Sequence, residues 1–499
     1  METISRKQEW LILFAAIIAS GMAFLDSSVV NIAIPAIQNQ FHASFDNMLW
    51  VVNAFPLLLA SLLLVSGSLS DRYGRKKVFV LGIIVFTLAS ILCALAQSII
   101  QLAVFRALQG IGAAMMIPGS LTIINLSFPE SRRGRAIGLW SGFSGGIAAI
   151  GPFIGGWLVQ TLSWRAIFYI NLPLGILALA LTVYAVAETK NAESRKLDVW
   201  GTLLILLGLF GIAYGLMTGP VKTWQDRSVL AGLLGGLACL IAFVFVERKT
   251  AEPLVPSAIF RSKLVLGANL ATLFLYGALN SLIFFVVLNM QQVQDFSPLK
   301  AGLALLPAVL IITFLSGFGG TVADKIGPRL PMIVGPLLVS AGTVWMIFAG
   351  VGADYFKAFL PGLILFGLGM AVVIAPLTKS ALMVPEHFSG SASGVNNAVA
   401  RVAALLAVAV LGAVAISFFG SSLRNRIAQT SLAVSEKQQI LAQSDRLGGI
   451  EVAENFTPQE KLEAKTAIKR SFVDSFRIVL AITAVLAFIS SIISAILIY

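Results

Sequence analysis

The sequence predicts an all-α, polytopic membrane protein with fourteen transmembrane helices, and three observations predict it. Of its 499 residues, 58% are hydrophobic and only 12% are charged. Its mean hydropathy is +0.91. Its apolar residues come in repeated runs of membrane-crossing length, such as 11–34, 78–95 and 203–217. Soluble domains carry roughly 25% charged residues, whereas about 20 apolar residues in a helix cross a hydrocarbon core of roughly 30 Å. Lipid offers no partner to an open strand, so each crossing must be a helix that satisfies its own backbone.

The first run, 11–34, is long, contains Asp26 and lacks a small-residue cleavage site behind it, so it reads as a retained helix 1 and not as a signal peptide. Spans 48–69 and 78–97 follow, with a basic loop between them. Span 101–124 carries Arg106 about one turn in, 136–159 is rich in glycine, and 166–187 completes a first group of six. Spans 200–218 and 229–247 are the seventh and eighth, and 264–288, 299–322, 331–350 and 357–380 come next. Span 393–418 holds Asn396, Asn397 and Arg401, and 474–498 is the fourteenth. The polar segment 419–473 between the last two has the makings of an amphipathic helix across 458–469.

Loop charge sets the orientation, because cytoplasmic loops collect Lys and Arg. One side holds Arg6 and Lys7, then Arg72, Arg75, Lys76 and Lys77, then Arg132, Arg133 and Arg135, and it stays basic through Lys379. The short loops opposite hold only Arg165, Lys222, Arg227, Lys300 and Lys357. Both termini are therefore expected in the cytoplasm, with the protein in the cytoplasmic membrane and segment 419–473 outside. Long segments translocate regardless of charge, so the basic residues of 419–473 carry little weight. The net charge of +12 does not indicate nucleic acid, because the basic residues sit in short loops without interleaved aromatics. Cys93 and Cys239 both fall in apolar runs and form no metal-ligand spacing. No phosphate loop and no nucleophile–base constellation is present, so neither an enzyme nor a bound cofactor is expected.

An internal repeat divides the helices. The loop after helix 2 has Gly67, Asp71, Arg72, Gly74 and Arg75, and the loop after helix 10 has Gly320, Asp324, Gly327 and Arg329. Gly67, Asp71 and Gly74 recur at Gly320, Asp324 and Gly327 with one constant offset. A six-helix half would place the copy after helix 8. Its place after helix 10 means that two helices are inserted between the halves. The expected division is a six-helix bundle over 1–190, two inserted helices over 191–263, and a second six-helix bundle over 264–499 that includes the external segment. Repeats with a site at their interface are the architecture of secondary transporters.

On these residues the chain resembles the major facilitator superfamily, and within it the fourteen-helix drug/proton antiporter branch (EmrB/QacA-like). Residues 25–35 (Leu-Asp-Ser-Ser-Val-Val-Asn-Ile-Ala-Ile-Pro) are similar to the branch's first-helix motif, and 67–77 to the superfamily's most widespread loop signature. Residues 106–114 resemble the motif tied to proton coupling. Gly142, Gly146, Gly151, Pro152, Gly155 and Gly156 resemble the antiporter signature of helix 5, and residues 163–173 also look like this branch. The resemblance implies a major facilitator fold, a proton-coupling role for Asp26 with Arg106, and a cytoplasmic gate at Gly67, Asp71, Arg72, Gly74, Arg75, Asp324, Gly327 and Arg329.

Read from the residues alone, Asp26 is the one acidic residue deep in a predicted helix, and a charge there needs a partner, water or a proton. It can serve as a proton carrier, or as a static hydrogen-bonding group to Asn31, Ser27 or Ser28. Arg106 should face the bundle interior, or else snorkel to the outer interface. The helix 5 glycines permit close helix approach, while Pro152 kinks the helix. Arg401 can pair with Asp26, meet an anionic substrate or hold a cytoplasmic end. A substrate cavity is expected to draw on Asn31, Gln109, Asn280, Asn396, Asn397 and Arg401. By spacing from the two loops, the counterpart of Asp26 in the second half is Asn280, which is not acidic. That favours a neutral, zwitterionic or anionic substrate over a dication.

The expected function is export of a hydrophobic or amphiphilic small molecule in exchange for protons, by alternating access and driven by the proton gradient. The alternatives are a physiological exporter of a metabolite, siderophore or lipid, or a transporter-like sensor or scaffold without flux. Expected partners are the lipid bilayer, the substrate, protons and, for a trans-envelope exporter, a membrane-fusion protein.

Overall fold

The computed structural model describes residues 5–190, 198–250, 253–385 and 389–498. Fourteen long helices follow one another among them. They are α1 Arg6–Phe41, α2 Phe45–Tyr73, α3 Arg75–Leu95, α4 Ile99–Ser127, α5 Glu130–Thr161, α6 Asn171–Ala185 and α7 Val199–Lys222. The second set is α8 Arg227–Lys249, α9 Lys263–Gln292, α10 Pro298–Ile326, α11 Arg329–Ile347, α12 Leu360–Ala381, α13 Ser389–Ala428 and α14 Pro458–Leu497. Short helical turns, Ala166–Tyr169 and Tyr355–Ala358, lead into α6 and α12. Thirteen of these segments are long and apolar enough to cross a membrane, and the 32-residue α5, which is not one of the thirteen, packs against α1 and α10. No strand occurs among the described residues.

Polar side chains start the helices where the sequence turns from loop to apolar run. Ser5, Ser98, Ser262 and Ser297 each accept a backbone N–H from the first turn of α1, α4, α9 and α10. Asp198 and Asp226 do the same for α7 and α8. Thr457 and Glu460 cap α14 reciprocally, with Pro458 in its first turn. Gly74 and Gly327 end α2 and α10 at φ +115 and +84, a conformation that suits glycine, so the repeated glycines mark the same helix stop in both halves.

The segment expected as a polar loop over 419–473 is shorter. α13 and α14 are 40 residues each, about 60 Å long at roughly 1.5 Å per residue and so about twice the hydrocarbon thickness. The amphipathic stretch 458–469 is the first part of α14 and not a separate helix. Apolar pattern alone locates where a helix crosses lipid, while its caps decide how far it continues beyond.

Within the first group α1 packs on α4, α5 and α6, and α4 on α2 and α3. In the later group α12 packs on α10 and α11, and α14 on α9, α11 and α13. α7 and α8 form a hairpin whose backbones nearly touch, since a Cβ on Gly211 would lie 2.6 Å from the Gly232 carbonyl oxygen. α7 leans on α2 and α13, whereas α8 packs almost wholly on α7.

Two seams join the groups, α2 with α13 and α5 with α10. Both are tight towards the end away from the termini. Gly412 sits on Leu49, and a Cβ on Gly156 would lie 2.5 Å from the Pro298 carbonyl oxygen. Towards the terminal end the space opens: Gly67, Gly138, Gly142, Gly146 and Gly317 have no atom within 4 Å of where a Cβ would stand.

The far end is also capped. A short helix, Val434–Leu441, and the turn Ser444–Gly449 form a plug over α1 and α9. Gln38 donates to the Arg446 carbonyl (3.1 Å) and accepts from Gln292 (3.1 Å), and Leu447 is fully buried. His42 meets Glu451 at 3.0 Å on the plug's rim.

Candidate functional site

Asp26 lies midway along α1 and has no solvent exposure. Arg106 and Gln109 stand three residues apart on one face of α4, and both point at it. Arg106 Nη1 contacts Asp26 Oδ2 in a direct ion pair. Gln109 Nε2 donates to Asp26 Oδ1 (3.1 Å), and its own Oε1 accepts from Arg106 (2.8 Å). Asn171, at the start of α6, donates to Asp26 Oδ1 (3.4 Å) and to Ser90 of α3 (3.0 Å). Arg106 is 1% exposed, reaches the Val51 carbonyl of α2 (3.3 Å), and stacks 4.6 Å from the Phe55 ring centre.

Five helices thus contribute to one network around a single carboxylate, with α4 and α6 bonding it directly and α2 and α3 holding Arg106 and Asn171. A buried pair is tolerated only when its remaining donors and acceptors are also satisfied, and removing one partner costs roughly 3–5 kcal/mol. Here the carboxylate is met by a guanidinium and two amides. A proton on Asp26 would remove the charge that holds Arg106 and loosen all three contacts together. The arrangement can therefore convert a protonation event into movement of an arginine.

That arginine also faces a cavity. A space of ≈ 60 Å³ between the two groups is lined by Ser27, Asn31, Asn53, Asn280, Arg106 and Arg401, with Phe284 among its apolar walls. It lies at the closed tip of the wedge that opens towards the termini, and at this size it holds a few atoms of a ligand. Arg401 of α13 enters from the second group, 5.3 Å from the Phe24 ring centre, and has no carboxylate partner among the described residues. Asn280 donates to the Tyr276 carbonyl (2.8 Å) and lines the same space.

Of the residues expected at a cavity, Asn31, Asn280 and Arg401 line this one. Gln109 is spent on the ion pair instead. Asn396 is held by Asn269 (3.2 Å) and Thr272 (3.1 Å) of α9, and Asn397 is exposed and donates to the Ser393 carbonyl (3.0 Å). Of the two readings of Arg106, interior placement holds and snorkelling does not. Asp26 is taken by Arg106 and not by Arg401.

The repeated loops differ in what they bind. Asp71 accepts from Arg75 of its own loop (2.7 Å), and Arg72 lies over the Tyr73 ring. Glu188, after α6, accepts the Lys76 and Lys77 backbone N–H groups (3.2 and 3.1 Å) and so caps α3. In the second loop Asp324 reaches across to Lys379 of α12 (2.5 Å), and Arg329 donates to the Ala495 carbonyl (2.9 Å). Along α5, Gly142 and Gly146 border the open end. Gly151 and Gly155 press on Ser28 and Val29 of α1, while Pro152 and Gly156 meet α10 at Gly302 and Pro298.

Sequence reasoning gave no site role to Ser90, Asn53 and Glu188, nor to Asn171, which it met only within the 163–173 segment. Asn171 had a signal, a lone amide in an apolar run next to Pro173, whereas Ser90 and Glu188 have none that distinguishes them from ordinary packing and loop residues.

The profile of the Major Facilitator Superfamily matches residues 16–408. The tetracenomycin C resistance and export protein of Streptomyces glaucescens is 33% identical over 86% of this chain and 80% of its own length. Multidrug resistance protein Stp of Mycobacterium tuberculosis is 32% identical over 84% of this chain and 78% of its own. Among solved structures, a bacterial homolog of the human lysosomal transporter Spinster superposes with a TM-score of 0.65 over 98% of both chains, at 18% identity. At that identity the likeness is one of fold.

Proposed function

The chain belongs to the Major Facilitator Superfamily, and from that premise we propose that it exports a hydrophobic or amphiphilic small molecule across the cytoplasmic membrane in exchange for protons. Relatives named for drug resistance and export support the direction and the substrate class. The observation that carries the coupling is the double engagement of Arg106, which pairs with Asp26 and also forms a wall of the cavity.

In the proposed cycle the structure stands open to the cytoplasm, with both termini on that side and the plug closing the outer mouth. Substrate enters the wedge and reaches the cavity tip at Asn31, Asn280 and Arg401. The two halves, α1–α6 and α9–α14, then rock about the α2–α13 and α5–α10 seams and expose the site outside. A proton taken up by Asp26 releases Arg106 towards the cavity, where its charge and bulk oppose rebinding of substrate. Return to the cytoplasm-facing state delivers the proton and reforms the Asp26–Arg106 pair. The loops at Asp71 and Asp324 form and break contacts on the cytoplasmic rim during this motion. The gradient supplies the energy without a bound cofactor.

The test is flux in proteoliposomes with an imposed pH gradient and a panel of neutral, anionic and cationic amphiphiles. Uptake into inverted vesicles that follows the gradient and collapses with a protonophore supports the proposal. Flux that ignores the gradient argues for a uniporter of the same fold.

A further inference from the structure

Far from this site, α13 and α14 run on beyond the apolar band towards the end away from the termini, and between them lies a recess of ≈ 640 Å³. Its polar walls include Ser422, Asn425, Arg426, Gln429, Asp474 and Arg477. An adjoining hollow of ≈ 440 Å³ shares Arg426, Asp474 and Arg477 and adds Arg470. Arg470, Asp474 and Arg477 repeat at helical spacing on one face of α14, so their side chains stack along the groove. The one carboxylate is already taken: Asp474 accepts from Arg426 (2.7 and 3.0 Å) and from Ser422 (2.7 Å). Arg477 gives only its Nε, to the Ile347 carbonyl (3.3 Å), and Arg470 makes no ion pair or hydrogen bond among the described residues. Directly beside these guanidiniums the wall becomes apolar and outward-facing, with Phe418 48% and Ile478 36% exposed.

We propose that this recess binds the phosphate headgroup of an anionic phospholipid of the outer leaflet. The chemistry is one-sided, with free guanidinium donors for a phosphate directly above a lipid-facing apolar strip that fits an acyl chain. The three arginines also outweigh the single carboxylate that Arg426 already neutralises. The position follows from length, because helices of about 60 Å must leave a core of roughly 30 Å, and Arg477 sits where α14 crosses that boundary. The strip continues towards the bilayer interior through exposed Val485 and Phe488. A lipid held here would tie α13, whose other end carries Arg401, to α14 and to the end of α11.

The test uses the full chain in nanodiscs, with lipids released and counted by native mass spectrometry. Wild-type protein in mixed phosphatidylglycerol and phosphatidylcholine is expected to keep phosphatidylglycerol preferentially. Arg470→Ala/Arg477→Ala should lose that preference about tenfold. Asp474→Asn, which frees Arg426, should raise it, and this second variant guards against a double variant that folds poorly. Inorganic phosphate or glycerol phosphate at matched concentration should not displace the lipid. Displacement by either, or equal retention by wild type and the arginine double variant, would overturn the proposal.

Discussion

Arg106 and Arg401 face one cavity from opposite halves of the molecule, yet only Arg106 has a carboxylate against it. The cavity therefore carries the uncompensated charge of Arg401, softened by the Phe24 ring. In a low-dielectric site that charge repels cations far more strongly than water would allow. Arg401→Gln is expected to weaken binding of a monoanionic amphiphile about tenfold, or about 1.4 kcal/mol, and to change a neutral analogue by less than twofold. Equilibrium binding of a matched anionic, neutral and dicationic set checks this. Loss of all three to the same degree would show that Arg401 is only structural.

The α5 glycines are expected to divide in their effects. Gly156 has no room for a Cβ beside Pro298, whereas Gly142 opens on empty space. Gly156→Ala should open the outer seam, while Gly142→Leu should hinder closure of the cytoplasmic end and leave substrate binding near wild type. Labelling of single cysteines on each side reads both. Identical accessibility changes in the two variants would contradict the rocking motion.

Asp71 and Arg75 satisfy one another on the rim, 2.7 Å apart and away from the cavity. Asp71→Asn should slow turnover about tenfold with affinity changed less than twofold. If affinity falls as far as turnover, the loop belongs to the binding site and not to a gate.

Much of this was legible in the sequence. Fourteen helices follow from hydropathy, and so does the need of Asp26 for a partner, because a charge in lipid is costly. That the partner is Arg106 was implied only by the family resemblance, since the residues alone left Arg401, Asn31, Ser27 and Ser28 open. What was not legible depends on three-dimensional convergence. Asn171 reaches Asp26, and Ser90 holds Asn171, only because α6 and α3 pass close to α1 and α4, which no spacing along the chain encodes. Gln109 reads equally well as a cavity amide or an ion-pair ligand until its rotation on α4 is known. The plug was hidden for another reason: its anchoring residues, Gln38, Gln292 and Leu447, look like ordinary loop and helix-end positions.

The plug should respond to pH. Burial of the Asp445 carboxyl, reinforced by nearby Asp46, raises it above its ordinary value. A carboxyl raised on docking adds docking stability that is complete below its ordinary value and is lost as pH rises through the docked one. Acid outside should therefore hold the plug down, and Asp445→Asn should make docking severalfold tighter at neutral pH and less dependent on pH. Hydrogen exchange of residues 434–450, corrected for intrinsic rates, measures it. An unchanged pH dependence in the variant would remove Asp445 from the explanation.

The central claim is that a proton on Asp26 and substrate in the cavity compete through Arg106. The most direct measurement is proton release on adding saturating substrate to detergent-purified protein in weak buffer, followed with a pH indicator, for wild type and Asp26→Asn. Wild type is expected to release protons in proportion to the sites filled. Asp26→Asn, which frees Arg106 as protonation does, should bind substrate more weakly and, at saturating concentration, release no proton, and its vesicles should show no gradient-driven transport. Asp26→Asn also leaves Arg106 without its partner, so thermal unfolding is followed in parallel, with Asp26→Asn/Arg106→Gln expected to recover the lost stability. Proton release by a folded, substrate-binding Asp26→Asn at the wild-type stoichiometry would contradict the account.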